Sequence, residues 1–280
     1  MPIKQFWIRA AFALAVLCAA PAANAAEHVL IIGGAGATGS AIAKMLVARG
    51  DKVTAFVRPS TDRSRLAGLP VDYVVGDAMN RAEVDAALAG KSFTVFFDTI
   101  QILSVTDQQS YTRLYANFVP WAKRMKAKQF LSLGSGCNDR AADNCPLSPP
   151  LYAVARDSTI AEYILRGSGV PYTVFRIGAL VPGGPNEPAA DERTGTSVLT
   201  EDATVFGAIW RGDLYDHIAG CIGAARCINK VFALDDPTLK AQREAWLCKR
   251  ARETDKIIFE HPDCGDSDVP PPGMRRDAAR

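Results

Sequence analysis

Apolar and polar residues alternate along this chain in two rhythms. Residues 28–32, HVLII, form a continuous apolar run, the pattern of a strand buried on both faces of a sheet. SAIAKMLVARG follows, with Ile42, Met45, Leu46 and Ala48 at helical spacing and Gly50 as a natural stop. The same alternation continues. KVTAFV (52–57) and VDYVVG (71–76) read as strands, RAEVDAALAG (81–90) as a helix and SFTVFFDT (92–99) as a fourth strand. A longer helix is expected from Gln109 to Lys126, then strand QFLSLG (129–134), a helix ending near Arg166, and strand YTVFRI (172–177). Strands and helices taking turns, with short connections, predict an α/β fold: a doubly wound (Rossmann) parallel sheet.

The rhythm breaks after residue 178. LVPGGPNEPAADERTG is rich in Pro, Gly and acidic residues and predicts a long loop of the kind that often serves as a lid. GDLYDHIAGCIGAA then reads as a helix, KVFALDD (230–236) as a last short strand and residues 238–252 as a charged helix. The expected organisation is residues 1–26 as a signal peptide and 27–178 as a nucleotide-binding core. Residues 179–280 would form a small C-terminal substrate-binding region and an extension of the same compact domain.

The leader carries Lys4 and Arg9, a short apolar run from Ala10 to Ala20, and a small-x-small site at Ala23–Ala25. That is the layout of a cleaved export signal, and the run is short for a membrane span. It predicts a periplasmic or secreted protein. An uncleaved N-terminal anchor is the alternative. The whole chain has 32 basic and 30 acidic residues, so losing Lys4 and Arg9 leaves a neutral mature chain. No basic stripe suggests nucleic acid as a partner.

Six cysteines follow Cys18, all beyond residue 136. An even number in an exported chain suggests disulfides. The simplest pairing joins sequence neighbours: Cys137–Cys145, Cys221–Cys227 and Cys248–Cys264, although six cysteines allow many connectivities. There is no C-x-x-C, and His28, His217 and His261 are scattered, so no metal site is expected.

Chemistry concentrates in GGAGATGS. Gly33, Gly36 and Gly39 follow a strand and open a helix, the context a dinucleotide loop requires. Gly33 would let the chain turn, Gly36 would let backbone approach a pyrophosphate, and Gly39 would let helix and strand pack closely. The N–H groups of Ala37 and Thr38 would then face the phosphates. Arg58, at the end of the second strand where an acid would select NAD, suits a 2′-phosphate and favours NADP. Arg63 and Arg65 could assist. Asp77, ending the third strand, could meet the adenine or cap the next helix. Thr99 and Gln101 end the fourth strand, near the expected nicotinamide.

GGAGATG, FVR, VVGD, FLSLGSG and AEYILRGSGVPYTVFRIGAL together resemble the atypical short-chain dehydrogenase/reductases, specifically their NmrA-like NAD(P)H-binding group, over residues 28 to about 235. The resemblance implies a Rossmann fold holding NADP, with substrate bound by the C-terminal third. Active members of the wider superfamily use Tyr-x-x-x-Lys. Here those positions fall on Val154 and Ser158, and the nearest match is Tyr152-x-x-x-Arg156, displaced by two residues. Tyr152 is the candidate proton donor, with Arg156 beside it. A Tyr packing after the Pro-Pro turn is the plainer reading. Ser135, with Ser132, follows the fifth strand where a substrate-polarising hydroxyl belongs, though turn chemistry also explains it. The pair Glu162/Arg166 reads as a surface ion pair.

The function expected is an exported oxidoreductase transferring hydride between NADP and a small carbonyl or quinone-like molecule. A dinucleotide-binding sensor without turnover, or a repurposed Rossmann-fold binding protein, is the alternative.

Overall fold

A computed structural model describes residues 26–101, 107–141, 145, 147, 149–181 and 193–253. Its centre is an eight-stranded sheet. β1 (His28–Ile32), β2 (Lys52–Val57), β3 (Val71–Val75), β4 (Val95–Asp98), β5 (Gln129–Ser135) and β6 (Tyr172–Ile177) follow the expected strands closely. β7 (Ala179–Val181), β8 (Val198–Thr200), β9 (Ala208–Trp210) and β10 (Lys230–Asp235) come from the C-terminal part. The order across the sheet is β3-β2-β1-β4-β5-β6-β10-β8. Every pairing in it is parallel except β10 with β8. The Rossmann arrangement expected from the alternation is therefore present.

Why β1 is apolar throughout is visible in its packing. Val29 and Ile31 join the core on one face, Leu30 and Ile32 the core on the other. All four are fully buried, each contributing about 1.5–3 kcal/mol. α1 (Ala37–Arg49) and α5 (Arg211–Cys221) cover the first face through Ile42, Leu46, Leu214 and Ile218. α2 (Arg81–Leu88), α3 (Ser110–Arg124) and α4 (Pro149–Gly167) cover the second through Leu88, Phe118 and Leu165.

The pattern after residue 178 hid three short strands. Residues 179–181 are not loop but β7, which pairs with β9 in a separate two-stranded sheet. β8 supplies the antiparallel edge. Strands of three residues carry too little alternation to be read from sequence. Residues 182–192 of the expected loop lie outside the described residues, as do residues 1–25 of the leader. α6 (Lys240–Glu253) matches the charged helix. Among the described residues no helix is long and apolar enough to cross a membrane.

Two of the expected disulfides are present, Cys137–Cys145 and Cys221–Cys227, with Cα atoms 5.4 and 5.5 Å apart. Cys248 is also disulfide-bonded. Its expected partner, Cys264, lies outside the described residues.

Candidate active site

The order of strands reverses between β1 and β4. In such sheets ligands bind at that switch point, beyond the strands' C-terminal ends. The glycine turn stands there. Gly33 has φ +83°, a left-handed conformation that a side chain disfavours. A Cβ on Gly39 would lie 2.7 Å from both Gly33 O and Gly34 Cα, so α1 can approach the turn only with glycine there. Gly36 is the N-cap of α1, and a Cβ there would meet only Gly33 O, at 3.2 Å. Gly34 is a missed member of the set. Its Cβ would fall 2.7 Å from that of Ala55 on β2.

The first intrahelical bond of α1 runs from Ser40 N–H to Gly36 O, at 2.9 Å. The N–H groups of Ala37, Thr38 and Gly39 precede it and are those a helix leaves unpaired. No side chain caps this end, and no acid stands in the first turn. An open, uncharged helix start behind a side-chain-free turn fits a pyrophosphate.

Arg58 directly follows β2 and is exposed. Arg63 stacks over the Tyr73 ring at 4.8 Å, and Arg65 is exposed. Asp77 makes a turn, its Oδ1 accepting Met79 N–H at 2.9 Å. The cap of α2 belongs instead to Asn80, whose side chain accepts from Ala82 and Glu83 N–H. Thr99 sits at the switch point, its hydroxyl donating to Ile32 O and Gly33 O at 2.9 and 3.2 Å. Gln101 is exposed at the end of the same segment.

The candidates for proton chemistry are arranged differently from the sequence expectation. Tyr152 is half-buried, and its hydroxyl donates to Arg140 O at 2.8 Å. It packs with the Cys137–Cys145 disulfide and Phe206. Arg156 is exposed one turn further on. The hydrogen bond supports the packing reading of Tyr152. Ser135 Oγ accepts Cys137 N–H at 3.1 Å, so its oxygen organises the turn while its proton remains available to donate. Val154 and Ser158 are both buried.

Two buried polar clusters behind the site were not expected. Glu162 is 2% exposed and is no surface residue. It accepts from Arg176, from Arg166 at 3.0 Å and from Asn138 at 2.9 Å, while Arg176 also pairs with Asp139. Burial opposes ionisation of Asp139, but the Tyr163 hydroxyl and the Arg176 guanidinium hold its carboxyl below the ordinary range. The signal was Arg176 itself. A guanidinium inside the apolar strand YTVFRI demands a buried partner. The second cluster joins Asp98 of β4, Tyr115 of α3 and Ser132 of β5. Burial pushes the Asp98 carboxyl up to about 7, against the bonds from Ile100 N–H and the Tyr115 hydroxyl.

A family profile described as NAD(P)H-binding matches residues 33–223, which span the glycine turn and the strands from β2 to β9. The chain belongs to the NAD(P)H-binding family. Solved structures agree at the level of the fold. An anaerobillin reductase from Escherichia coli superposes with TM-score 0.59 at 22% identity, covering 76% of this chain and 98% of that one. A Bacillus halodurans protein described as a candidate NAD-dependent epimerase/dehydratase gives 0.60 at 21%, covering 77% and 98%. A short-chain dehydrogenase/reductase from Veillonella parvula, in complex with NADP, gives 0.55 at 16%, covering 75% and 95%. In sequence, the sterol demethylase protein B of Methylococcus capsulatus is 39% identical over 61 residues, 22% of this chain. The matched segment is only 19% of that relative's length. The NAD(P)H-binding family that the motifs suggested is thus the family of this chain, and the solved structures share its Rossmann fold.

Proposed function

We propose that this protein is an exported NADP(H)-dependent oxidoreductase acting on a small carbonyl or quinone-like molecule. The observation carrying the reading is the side-chain-free turn at the switch point, closed by Gly33 and Gly39 and facing the free N–H groups of α1. A bound NADPH supplies hydride. Ala37, Thr38 and Gly39 hold its pyrophosphate, Arg58 meets the 2′-phosphate, and Thr99 and Gln101 lie toward the nicotinamide. Asp77, just beyond β3, would meet the adenine. Ser135, with a proton to donate, polarises the substrate. The disulfides support export, since such bonds persist in oxidising compartments.

The deciding experiment titrates NADPH and NADH into oxidised protein. Micromolar binding of NADPH is expected, weakened at least tenfold by Arg58→Ala, about 1.4 kcal/mol, with NADH binding unaffected by that change. Equal loss for both dinucleotides would remove the assignment of Arg58.

The hydrogen bond of Tyr152 to Arg140 O favours a second reading, binding without turnover. NADPH oxidation with a panel of aldehydes and quinones separates the two. Turnover that survives Tyr152→Phe but falls in Ser135→Ala would leave water or Ser135 to handle the proton.

A further inference from the structure

One buried acid belongs neither to the glycine turn nor to the ion-pair cluster. Asp98 ends β4 at the sheet's C-terminal edge, between Ile32, the last residue of β1, and Ser132 of β5. It is 1% exposed. Its Oδ2 accepts the Tyr115 hydroxyl at 3.2 Å, and Tyr115 is bonded in turn to the Ser132 hydroxyl. With Tyr115 donating to the carboxylate, Ser132 donates to Tyr115. The other oxygen, Oδ1, accepts Ile100 N–H at 2.9 Å. Ile100 and Thr99 in turn touch the glycine turn. A Cβ on Gly33 would lie 2.9 Å from Ile100 Cγ1 and 3.1 Å from Thr99 Oγ1.

We propose that Asp98 is a positioning residue for the dinucleotide: its carboxyl fixes Thr99 and Ile100 against the glycine turn, and it takes up a proton when the dinucleotide binds. This rests on the site reading given above. The groups facing Asp98 are Ile32 from β1, Ser132 from β5, Tyr115 from α3 and the Ile100 N–H, and Tyr111, one turn before Tyr115, acts on Tyr115. Among the described residues none is a cation, and Asp98 makes no ion pair. Burial alone keeps it part-protonated near neutrality. A pyrophosphate arriving at the adjacent turn brings negative charge, which disfavours the ionised carboxyl further. Linkage makes this reciprocal: the ligand that raises the affinity for a proton binds better to the protonated protein. The proton passes from solvent to the Asp98 carboxylate, and no other bond is made or broken.

Calorimetric titration of the oxidised protein near pH 7, in two buffers of different ionisation enthalpy, tests this. NADH is run beside NADPH because it lacks the titratable 2′-phosphate. Wild type should show net proton uptake with NADH, and several-fold tighter NADH binding below that pH than above it, whereas NADPH adds the opposing proton release of its 2′-phosphate. Asp98→Asn should lose the uptake and flatten the pH profile. Tyr115→Phe deletes a bond to the ionised carboxyl and should move the profile to higher pH, a shift that damaged packing alone would not give. Equal uptake in wild type and Asp98→Asn, or an unmoved profile in Tyr115→Phe, overturns the inference and leaves the binding site standing. Failure of folded wild type to bind either dinucleotide at any pH overturns the site reading, and this inference with it.

Discussion

Two buried acids in this molecule are held in opposite ways. Glu162 is enclosed by two guanidiniums and an amide, all bonded to its carboxylate. Removing it leaves Arg176 buried at 4% exposure with Asp139 as its only ion-pair partner among the described residues. Glu162→Ala should therefore cost about 3–5 kcal/mol, read as a lower midpoint in urea unfolding. Asp98 has no such partners, and its carboxyl rises from about 3.8 to about 7 on folding. The folded state thus binds a proton that the unfolded state has lost. Asp98 stabilises fully below the unfolded value, and the benefit fades as pH rises through 7. Asp98→Asn stays neutral throughout. Its stability relative to wild type should climb between pH 5 and pH 8, by on the order of 2–4 kcal/mol. A wild-type-like pH dependence in that variant would show that Asp98 is not the group responsible.

Elements are placed by contacts that no single segment contains. The N-terminus of α3 is capped from α4. Asp157, 4% exposed, accepts Tyr111 N–H at 2.6 Å and also bonds Thr112. Nothing in VARDSTI announces this, because the group it satisfies lies 46 residues earlier. The approach of α1 to β1 is different, since the sequence states it. Gly39→Ala forces a methyl onto two backbone atoms, and overpacking of this kind costs about 1–3 kcal/mol. The turn and the helix start should part, so NADPH binding should fall by tenfold or more while the fold persists by circular dichroism. Unchanged affinity would mean that the phosphates rest elsewhere.

Over the whole molecule, two described disulfides close short loops on opposite ends of the sheet. Cys137–Cys145 braces the segment between β5 and α4, beside the candidate site. Cys221–Cys227 follows α5, where Gln129, fully buried at the start of β5, donates to Cys221 O at 3.0 Å. Each bond should contribute about 2–4 kcal/mol by restricting the unfolded chain. Reduction should lower the melting temperature by several degrees, and Cys137→Ser/Cys145→Ser should weaken NADPH turnover more than Cys221→Ser/Cys227→Ser. The reverse order would disconnect the β5–α4 loop from the site.

The sequence by itself determined the strand–helix alternation, the parallel core, the glycine turn and the pairing of cysteines that are near neighbours. These are local matters: a strand buried on both faces must be apolar throughout, and a turn too tight for a side chain must be glycine. Tertiary structure alone decided where polar side chains meet. Glu162 looked like half of a surface pair until β6 brought Arg176 beneath it. The bond from the Tyr152 hydroxyl to Arg140 O is likewise made across the loop and has no signature in the spacing. Asp98, Tyr115 and Ser132 come from three elements and share no spacing. Burial and hydrogen bonding depend on what lies across the fold, and a one-dimensional pattern records only what lies along the chain.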